Sequence, residues 1–450
     1  MKSLGKLKIY PSKEIAKSRV SIGFECLDRG LINPEKCYEP LAATGIKYAR
    51  VQTGWAVCEK QKGIYDFVWL DKIIDSLISI GVIPWFNLGY GNPLYMTDVD
   101  LSKNSTCVGC VPIHYGEEAT NAWINYVKAL LDHYNGKVTH YEIWNEPDCE
   151  QFWYPKMPNG KEYAEFVNLT ADVIKSTDSS ILTGGSSMGL FTKDFHKGFV
   201  ENVNGKLLDF FAYHAYSLKP ENNYISEVKY LKDLFAKHGL SHVELWQGEG
   251  GCPTYYPDNH WLKNKKPGTE RAQSVWIIRR YFLDLLAGTT MTSYFSIADI
   301  WEVPYEKARG VITKPAAHGI LNGITYTKKH SYTVLSRIAA VFRGDVSLND
   351  CAVEITDRVQ DEQEIIVIPY KRNNNQVIAY YKPYYVEDEY DNRFDATINL
   401  SSTNIKNPVI IDLYSGEVYE CEVEKNTIIN APIGQYPMLI CDKDTYEIEG

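Results

Sequence analysis

From residue 20 to residue 342, short apolar runs alternate with amphipathic stretches of helical period. Few folds accept that rhythm. A strand that leads through a helix to a parallel neighbour crosses over right-handedly, so the pattern specifies a parallel sheet covered by helices. Strands are predicted over 20–24, 48–52, 83–88, a run from 138 that ends at Glu146, and then 181–187, 209–217, 242–247 and 292–298. Helices are predicted over 69–80, 120–134, 162–176, 193–203, 225–238, 270–287 and 331–342. The first of these carries Ile73, Ile74, Leu77 and Ile78 on one face and stops at Gly81. Eight strand–helix units in this length suit a closed (β/α)8 barrel. An open doubly wound sheet is the alternative, but no Gly-x-Gly-x-x-Gly follows strand one.

After Gly344 the helical period disappears. Runs over 364–370, 376–382, 396–400, 409–414, 417–423 and 438–441 read as strands. Turns such as Arg372-Asn373-Asn374-Asn375 and Tyr414-Ser415-Gly416-Glu417 separate them. A small antiparallel β-sandwich is expected. The chain therefore divides into an N-terminal segment, 1–18, whose residues 7–10 add a strand to the sandwich, a barrel over 19–342 and a sandwich over 343–450. A chain of 450 residues with 44% hydrophobic content can fill two such cores.

The stretch Val138-Thr139-His140-Tyr141-Glu142-Ile143-Trp144-Asn145-Glu146-Pro147-Asp148 carries the first chemical signal. Pro147 has no N–H to extend a ladder, so it ends the strand and leaves Glu146 at the carboxyl end, the rim where barrels of this kind do chemistry. Other polar and aromatic residues fall at or just after strand ends. Glu25 follows strand one and Arg50 lies in strand two. Asn87 and Tyr90 come with strand three, Asn145 with strand four, His214 and Tyr216 with strand six. Glu249 follows strand seven and Trp301 follows strand eight. Strands four and seven face each other across such a mouth. Two carboxyl groups there suit acetal hydrolysis: one protonates the leaving oxygen, and the other attacks the anomeric carbon or activates water. Arg50, His214 and Tyr216 are placed to donate hydrogen bonds to the partner carboxylate. Taken singly, each has a structural reading. Arg50 suits an internal ion pair, His214 a core histidine and Trp301 core packing. Glu244 is a rival to Glu249 but begins strand seven, at the end of the barrel that serves stability.

These residues carry a resemblance. Trp144-Asn145-Glu146-Pro147, a Glu after strand seven and Arg50 in strand two resemble the retaining (β/α)8-barrel glycoside hydrolases of clan A. Gly63-Ile64-Tyr65-Asp66-Phe67 before a helix is similar to a segment of glycoside hydrolase family 39, the β-xylosidase and α-L-iduronidase family. The similarity covers about residues 20–302. It implies a retaining glycosidase acting on a β-linked sugar, exo-acting and β-xylosidase-like, with Glu146 as acid/base and Glu249 as nucleophile. It further implies that Asn145 binds the hydroxyl beside the reacting carbon, that Tyr216 bonds the nucleophile and that Trp301 floors the site. Glu25, Arg50, His214 and Asn87 complete the expected substrate-binding set. Two departures stand out: Phe24-Glu25-Cys26-Leu27-Asp28-Arg29 lacks the family's histidine, and Gln247-Gly248-Glu249-Gly250-Gly251 is unusually rich in glycine. An endo-glycanase or α-L-arabinofuranosidase of the same clan, and an inactive sugar-binding barrel, are the alternatives. Loops over 93–115 and 255–266 favour a walled pocket over an open cleft.

The expected partner is a carbohydrate. A net charge of −10 argues against nucleic acid, although Arg29, Arg50 or Lys103 could still meet an acidic sugar locally. The 33 Tyr and 10 Trp fill a large core and supply flat faces for sugar rings. No membrane span is visible, and a homo-oligomer stays open. No cofactor or metal is called for: Cys107-Val108-Gly109-Cys110 has only His114 near it and no second pair. The basic start, Met1 to Lys8, has no apolar stretch behind it, so a cytoplasmic protein with ten reduced thiols is expected, with a trimmed secretion signal as the alternative.

Overall fold

The computed structural model describes residues 1–102, 104–255, 268–300, 317–357, 359, 363–384 and 393–450. Eight parallel strands close a barrel in chain order: Val20–Gly23, Tyr48–Gln52, Ile83–Leu88, His140–Ile143, Leu182–Ser187, Phe210–His214, Glu244–Glu249 and Met291–Tyr294. The eighth pairs with the first through Thr292–Val20 and Tyr294–Ile22, which closes the cylinder. The helical periods land where the pattern put them. Val68–Ser79 buries Leu70, Ile73, Ile74 and Leu77. Gly160–Thr177 starts on Asn159, whose side chain accepts from the amides of Lys161 and Glu162. Glu270–Ala287 starts on Thr269 and ends at Gly288 with φ 78°, a left-handed stop that glycine adopts freely.

The barrel interior is layered. Period two turns Trp85, Phe210, Ala212, Trp246 and Met291 inward, and these form a closed apolar plug at the amino-terminal half. Phe210 and Trp246 stack with ring centroids 3.7 Å apart. The room comes from Gly184 on strand five, where a β-carbon would sit 2.1 Å from the Phe210 ring. Above the plug the inward side chains turn polar: Arg50, Asn87, Glu142 and His214, all buried. Arg50 marks the change of layer, its guanidinium 5.6 Å from the Trp85 ring centre.

The C-terminal region holds two antiparallel sheets. The larger runs Val346–Leu348, Ile366–Arg372, Asn375–Tyr381, Met438–Asp442, Pro408–Asp412, Glu417–Glu420, Ser3–Leu7 and Ile448–Glu449. The smaller runs Glu354–Asp357, Phe394–Asn399, Thr427–Ile433 and Glu422–Glu424. The run predicted as one strand over 417–423 is two: Glu417–Glu420 lies in the first sheet and Glu422–Glu424 in the second. The N-terminal strand covers Ser3–Leu7, earlier than the 7–10 stretch, and pairs with both Glu417–Glu420 and Ile448–Glu449. No described helix is long and apolar enough to cross a membrane, and all ten cysteines are free thiols.

Candidate active site

The ladder of strand four ends at Ile143, before Pro147 is reached, because Trp144 turns left-handed at φ 72° and Glu146 follows at φ 47°. Side chains with a β-carbon hold that region only when their surroundings fix it. Here they do. The Trp144 carbonyl accepts from Asn87 Nδ2 at 2.7 Å and Ser186 Oγ at 3.0 Å, and the indole donates to the Phe152 carbonyl at 2.6 Å. This kink aims Glu146 across the barrel mouth.

Arg50 organises the opposite side. It takes Glu142 bidentately, Nε to Oε2 at 2.6 Å and Nη2 to Oε1 at 2.9 Å. Nη2 also donates to Asn145 Oδ1 at 2.9 Å, and Nη1 donates to Glu25 Oε2 at 2.8 Å and to Glu249 Oε1. Asn145 thus gives its carbonyl to Arg50 and leaves its NH2 for a ligand. Glu249 Oε2 accepts from the Tyr216 hydroxyl at 3.0 Å. His214 Nδ1 lies 2.7 Å from Glu146 Oε1 and 3.7 Å from Glu249 Oε2, so its short contact is with Glu146 rather than with the partner carboxylate expected from sequence.

The two carboxyl groups are equally buried, each 8% exposed, yet they differ in charge preference. Burial raises Glu146 above the usual carboxylate range, against the pull of His214 and with the help of the Glu249 charge. Burial would raise Glu249 as well, but His214 and Arg50, joined by hydrogen bonds from Tyr216 and Glu25, outweigh it and hold Glu249 below that range. Glu146, His214 and Glu249 each offer an atom within 4.8 Å of the others. One buried carboxyl pushed toward holding its proton and one pushed toward losing it, at this spacing, can grip the two ends of a single bond.

The family model described as "Glycosyl hydrolases family 39" matches residues 36–246, a span that includes Arg50, Asn145, Glu146 and His214. The chain is a (β/α)8 barrel that resembles this family over those residues. It is 24% identical over 290 residues to a β-xylosidase of Geobacillus stearothermophilus, covering 58% of this chain and 55% of that protein. The match therefore spans little more than half of that relative. A β-xylosidase of Caldicellulosiruptor saccharolyticus is 24% identical over 379 residues, 75% of this chain and 71% of the other. In solved structures, a family 39 glycoside hydrolase of the gut symbiont Bacteroides cellulosilyticus WH2 superposes with TM-score 0.70 at 14% identity, covering 97% of this chain and 82% of that one. The likeness there is one of fold.

Within this barrel, Glu25, Arg50, Asn145, Glu146, His214, Tyr216 and Glu249 converge on one mouth through the bonds above. Asn87 stands behind them, buried, with its amide committed to the Trp144 carbonyl. Trp301 and Lys103 lie outside the described residues, as does most of the 255–266 loop. Sequence reading passed over Glu142, which shares Arg50, and Asp148, which accepts from the amides of Met188 and Gly189 and from Thr192 Oγ1, tying the loops after strands four and five. A signal for Glu142 was present. It is the inward-facing charge in a buried strand, and such a charge requires a partner. Among the described residues, Glu146, His214 and Glu249 are also the group that could gather round a metal ion. Cys107 and Cys110 are buried loop thiols.

Proposed function

We propose that this protein is a retaining glycosidase that cleaves a β-linked glycoside by double displacement, exo-acting and β-xylosidase-like. One observation carries the reading: Glu146 and Glu249, buried alike and within 4.8 Å oxygen to oxygen, are biased to opposite protonation states. A gap on this scale favours attack by the carboxylate itself, as in retaining enzymes with carboxyl groups about 5–5.5 Å apart, over the wider separation that inverting enzymes use.

In the first step, Glu249 attacks the anomeric carbon as Glu146 gives its proton to the departing oxygen. The glycosyl–oxygen bond breaks and a glycosyl ester forms on Glu249. In the second step, Glu146, now a carboxylate, takes a proton from water, and the water oxygen displaces Glu249. Asn145 offers its NH2 to the neighbouring hydroxyl, Tyr216 steadies the nucleophile, and Trp301 would floor the sugar. Exo action is supported by the 93–115 loop, which packs on the segment after strand four. Tyr154 N donates to Gly109 O at 2.9 Å and Val111 N to Tyr154 O at 3.1 Å, walling one side of the mouth. The reading takes 19–342 as the catalytic barrel and 343–450 as an accessory sandwich joined by the 1–18 segment. The ten free thiols support a cytoplasmic location.

Chromogenic glycosides test it, starting with β-xyloside, α-arabinofuranoside, β-glucoside and β-glucuronide. On an activated aryl glycoside, Glu146→Ala should lose activity and recover it with azide, yielding the β-azide. A fluorosugar should label the peptide that carries Glu249. Label elsewhere removes Glu249 as nucleophile, loss of activity on chelation points to a metal hydrolase, and cleavage within long glycans restores the endo alternative.

A further inference from the structure

Double displacement gives no task to Glu25 or Glu142; Glu142 holds Arg50, and the surroundings of Glu25 specify a task for it. It follows strand one and is 1% exposed. Its Oε2 accepts from Arg50 Nη1 at 2.8 Å and from Gln52 Nε2 at 3.4 Å. Its Oε1 is buried with no hydrogen-bond partner and lies against Gly23, where a β-carbon would stand 2.7 Å away. The Arg50 Nη1 group that serves Glu25 also serves Glu249, and the Glu25 carboxyl is placed to hydrogen-bond that of Glu249. Two carboxylates cannot share a hydrogen bond; one of them must carry the proton.

Charge balance says which. Glu25, Glu142, Glu146 and Glu249 face one guanidinium, Arg50, and one imidazole, His214. Glu142 holds Arg50 bidentately, and Glu249 has Arg50, Tyr216 and the nearby His214. Glu25 has only a shared edge of Arg50 and a long contact from Gln52. Cys26 on its own loop and the Tyr216 hydroxyl also face it and supply no cation, while the nearby Arg29 spends its guanidinium on Asp28, Cys26 and Gln52 Oε1. Burial pushes Glu25 well above the usual carboxylate range against the pull of Arg50, with the neighbouring Glu249 and Glu142 charges adding to it.

We propose that Glu25 is a positioning residue: a neutral carboxylic acid that donates its proton in a hydrogen bond to Glu249 and, with Arg50 and Tyr216, holds the attacking oxygen in line. The proposal rests on the glycosidase reading, since it concerns the nucleophile of that reaction. Glu25→Gln preserves the shape and a neutral donor, so kcat on a β-xyloside should stay within about threefold of the parent. Glu25→Ala removes the support and should cost about 100-fold in kcat with little change in KM, the usual scale for a reacting group displaced by an ångström. A dinitrophenyl glycoside, which departs without a proton from Glu146, isolates the nucleophile side. On it, the fall in kcat/KM at high pH should be present in the parent and absent in Glu25→Gln, because Gln cannot ionise. A Gln variant as impaired as the Ala variant, or an Ala variant as active as the parent, overturns the proposal. Infrared spectra of the protein labelled with 13C-glutamate give an answer independent of turnover: a protonated-carboxyl component near neutrality that persists in Glu146→Gln should be lost in Glu25→Gln, and an ionised Glu25 there refutes it. If no glycoside is turned over by the parent, the glycosidase reading fails, while the infrared result still decides the state of Glu25.

Discussion

Arg50 shows how much one side chain can be asked to do. It is fully buried and serves Glu25, Glu142, Glu249 and Asn145 at once. Removing it strands carboxyl groups in a low-dielectric interior, and breaking a buried pair costs about 3–5 kcal/mol. Arg50→Met is therefore expected to lower urea stability on that scale and to abolish measurable turnover, whereas a substitution of surface Lys62 should do neither. The opposite result is expected at Glu146. Its folded-state pKa is raised, so its contribution to stability is present below the unfolded carboxylate pKa and lost as pH rises through the folded value. Glu146→Gln should then be more stable than the parent near neutrality, by about 1 kcal/mol, with the gain disappearing in acid. Thermal melts across pH check this. Glu249 is depressed instead, so its contribution is present above the unfolded pKa and lost as pH falls through the folded one. The acid limb of kcat/KM should follow Glu249 and the alkaline limb Glu146 on substrates that need a proton. Glu146 and Glu249 were legible in the sequence because each falls at a strand end, and Arg50 because a charge inside a buried strand requires a partner. The pairing of His214 with Glu146 was not, since two carboxyl groups within 4.8 Å compete for one imidazole and only geometry decides.

At the scale of elements, strands buried on both faces were the legible ones. Tyr48–Gln52 and Ile83–Leu88 fall as predicted because they are mostly apolar runs, interrupted at Arg50, Gln52 and Asn87 and bounded by polar or glycine turns. The missed strands are those that carry little apolar signal. Glu354–Asp357 and Val346–Leu348 are largely exposed, and Thr427–Ile433 contains Asn430 and Pro432, which read as a break. The 417–423 run shows a different limit, since a strand that changes sheet at Cys421 keeps its β character throughout. Gly184 is informative here. A glycine inside a strand signals close approach, and in this barrel the Phe210 ring is what approaches. Gly184→Ala would push a methyl into the stacked Phe210–Trp246 pair of the plug. An overpacking cost of about 1–3 kcal/mol is expected, read as a lower urea midpoint at unchanged slope, with KM unaltered because the plug lies beneath the mouth.

At the scale of the molecule, barrel and sandwich share a core. Helix Glu270–Ala287 is buried on nearly every side from Gln273 to Leu285, an arrangement its sequence alone does not announce because Arg279, Arg280 and Asp284 interrupt the apolar run. The sandwich covers its outer side. Arg279 reaches out of the barrel to donate to the backbone carbonyls of Gln435 and Tyr384. Phe282 and Phe342, 5.1 Å apart, pack on Tyr370 of the large sheet at 5.9 Å and 6.3 Å. Tyr381 donates to Glu221 at 3.0 Å, on the loop before helix Tyr224–Lys237. Detaching the C-terminal sheets would expose those rings and take two carbonyl acceptors from Arg279, leaving it the 3.6 Å contact with Glu221. Calorimetry of the full chain should therefore show one cooperative transition for barrel and sandwich together, and a chain cut after Phe342 should aggregate. The N-terminal strand gives the finer test. Ser3–Leu7 lies between Glu417–Glu420 and Ile448–Glu449, far from the mouth in connectivity, so deleting residues 1–8 unpairs two strand edges without touching any group at the site. The expected outcome is a lower melting temperature with kcat and KM at the parent values. A fall in kcat at a temperature where the shortened chain is still folded would mean that the sheet edge reaches the catalytic mouth.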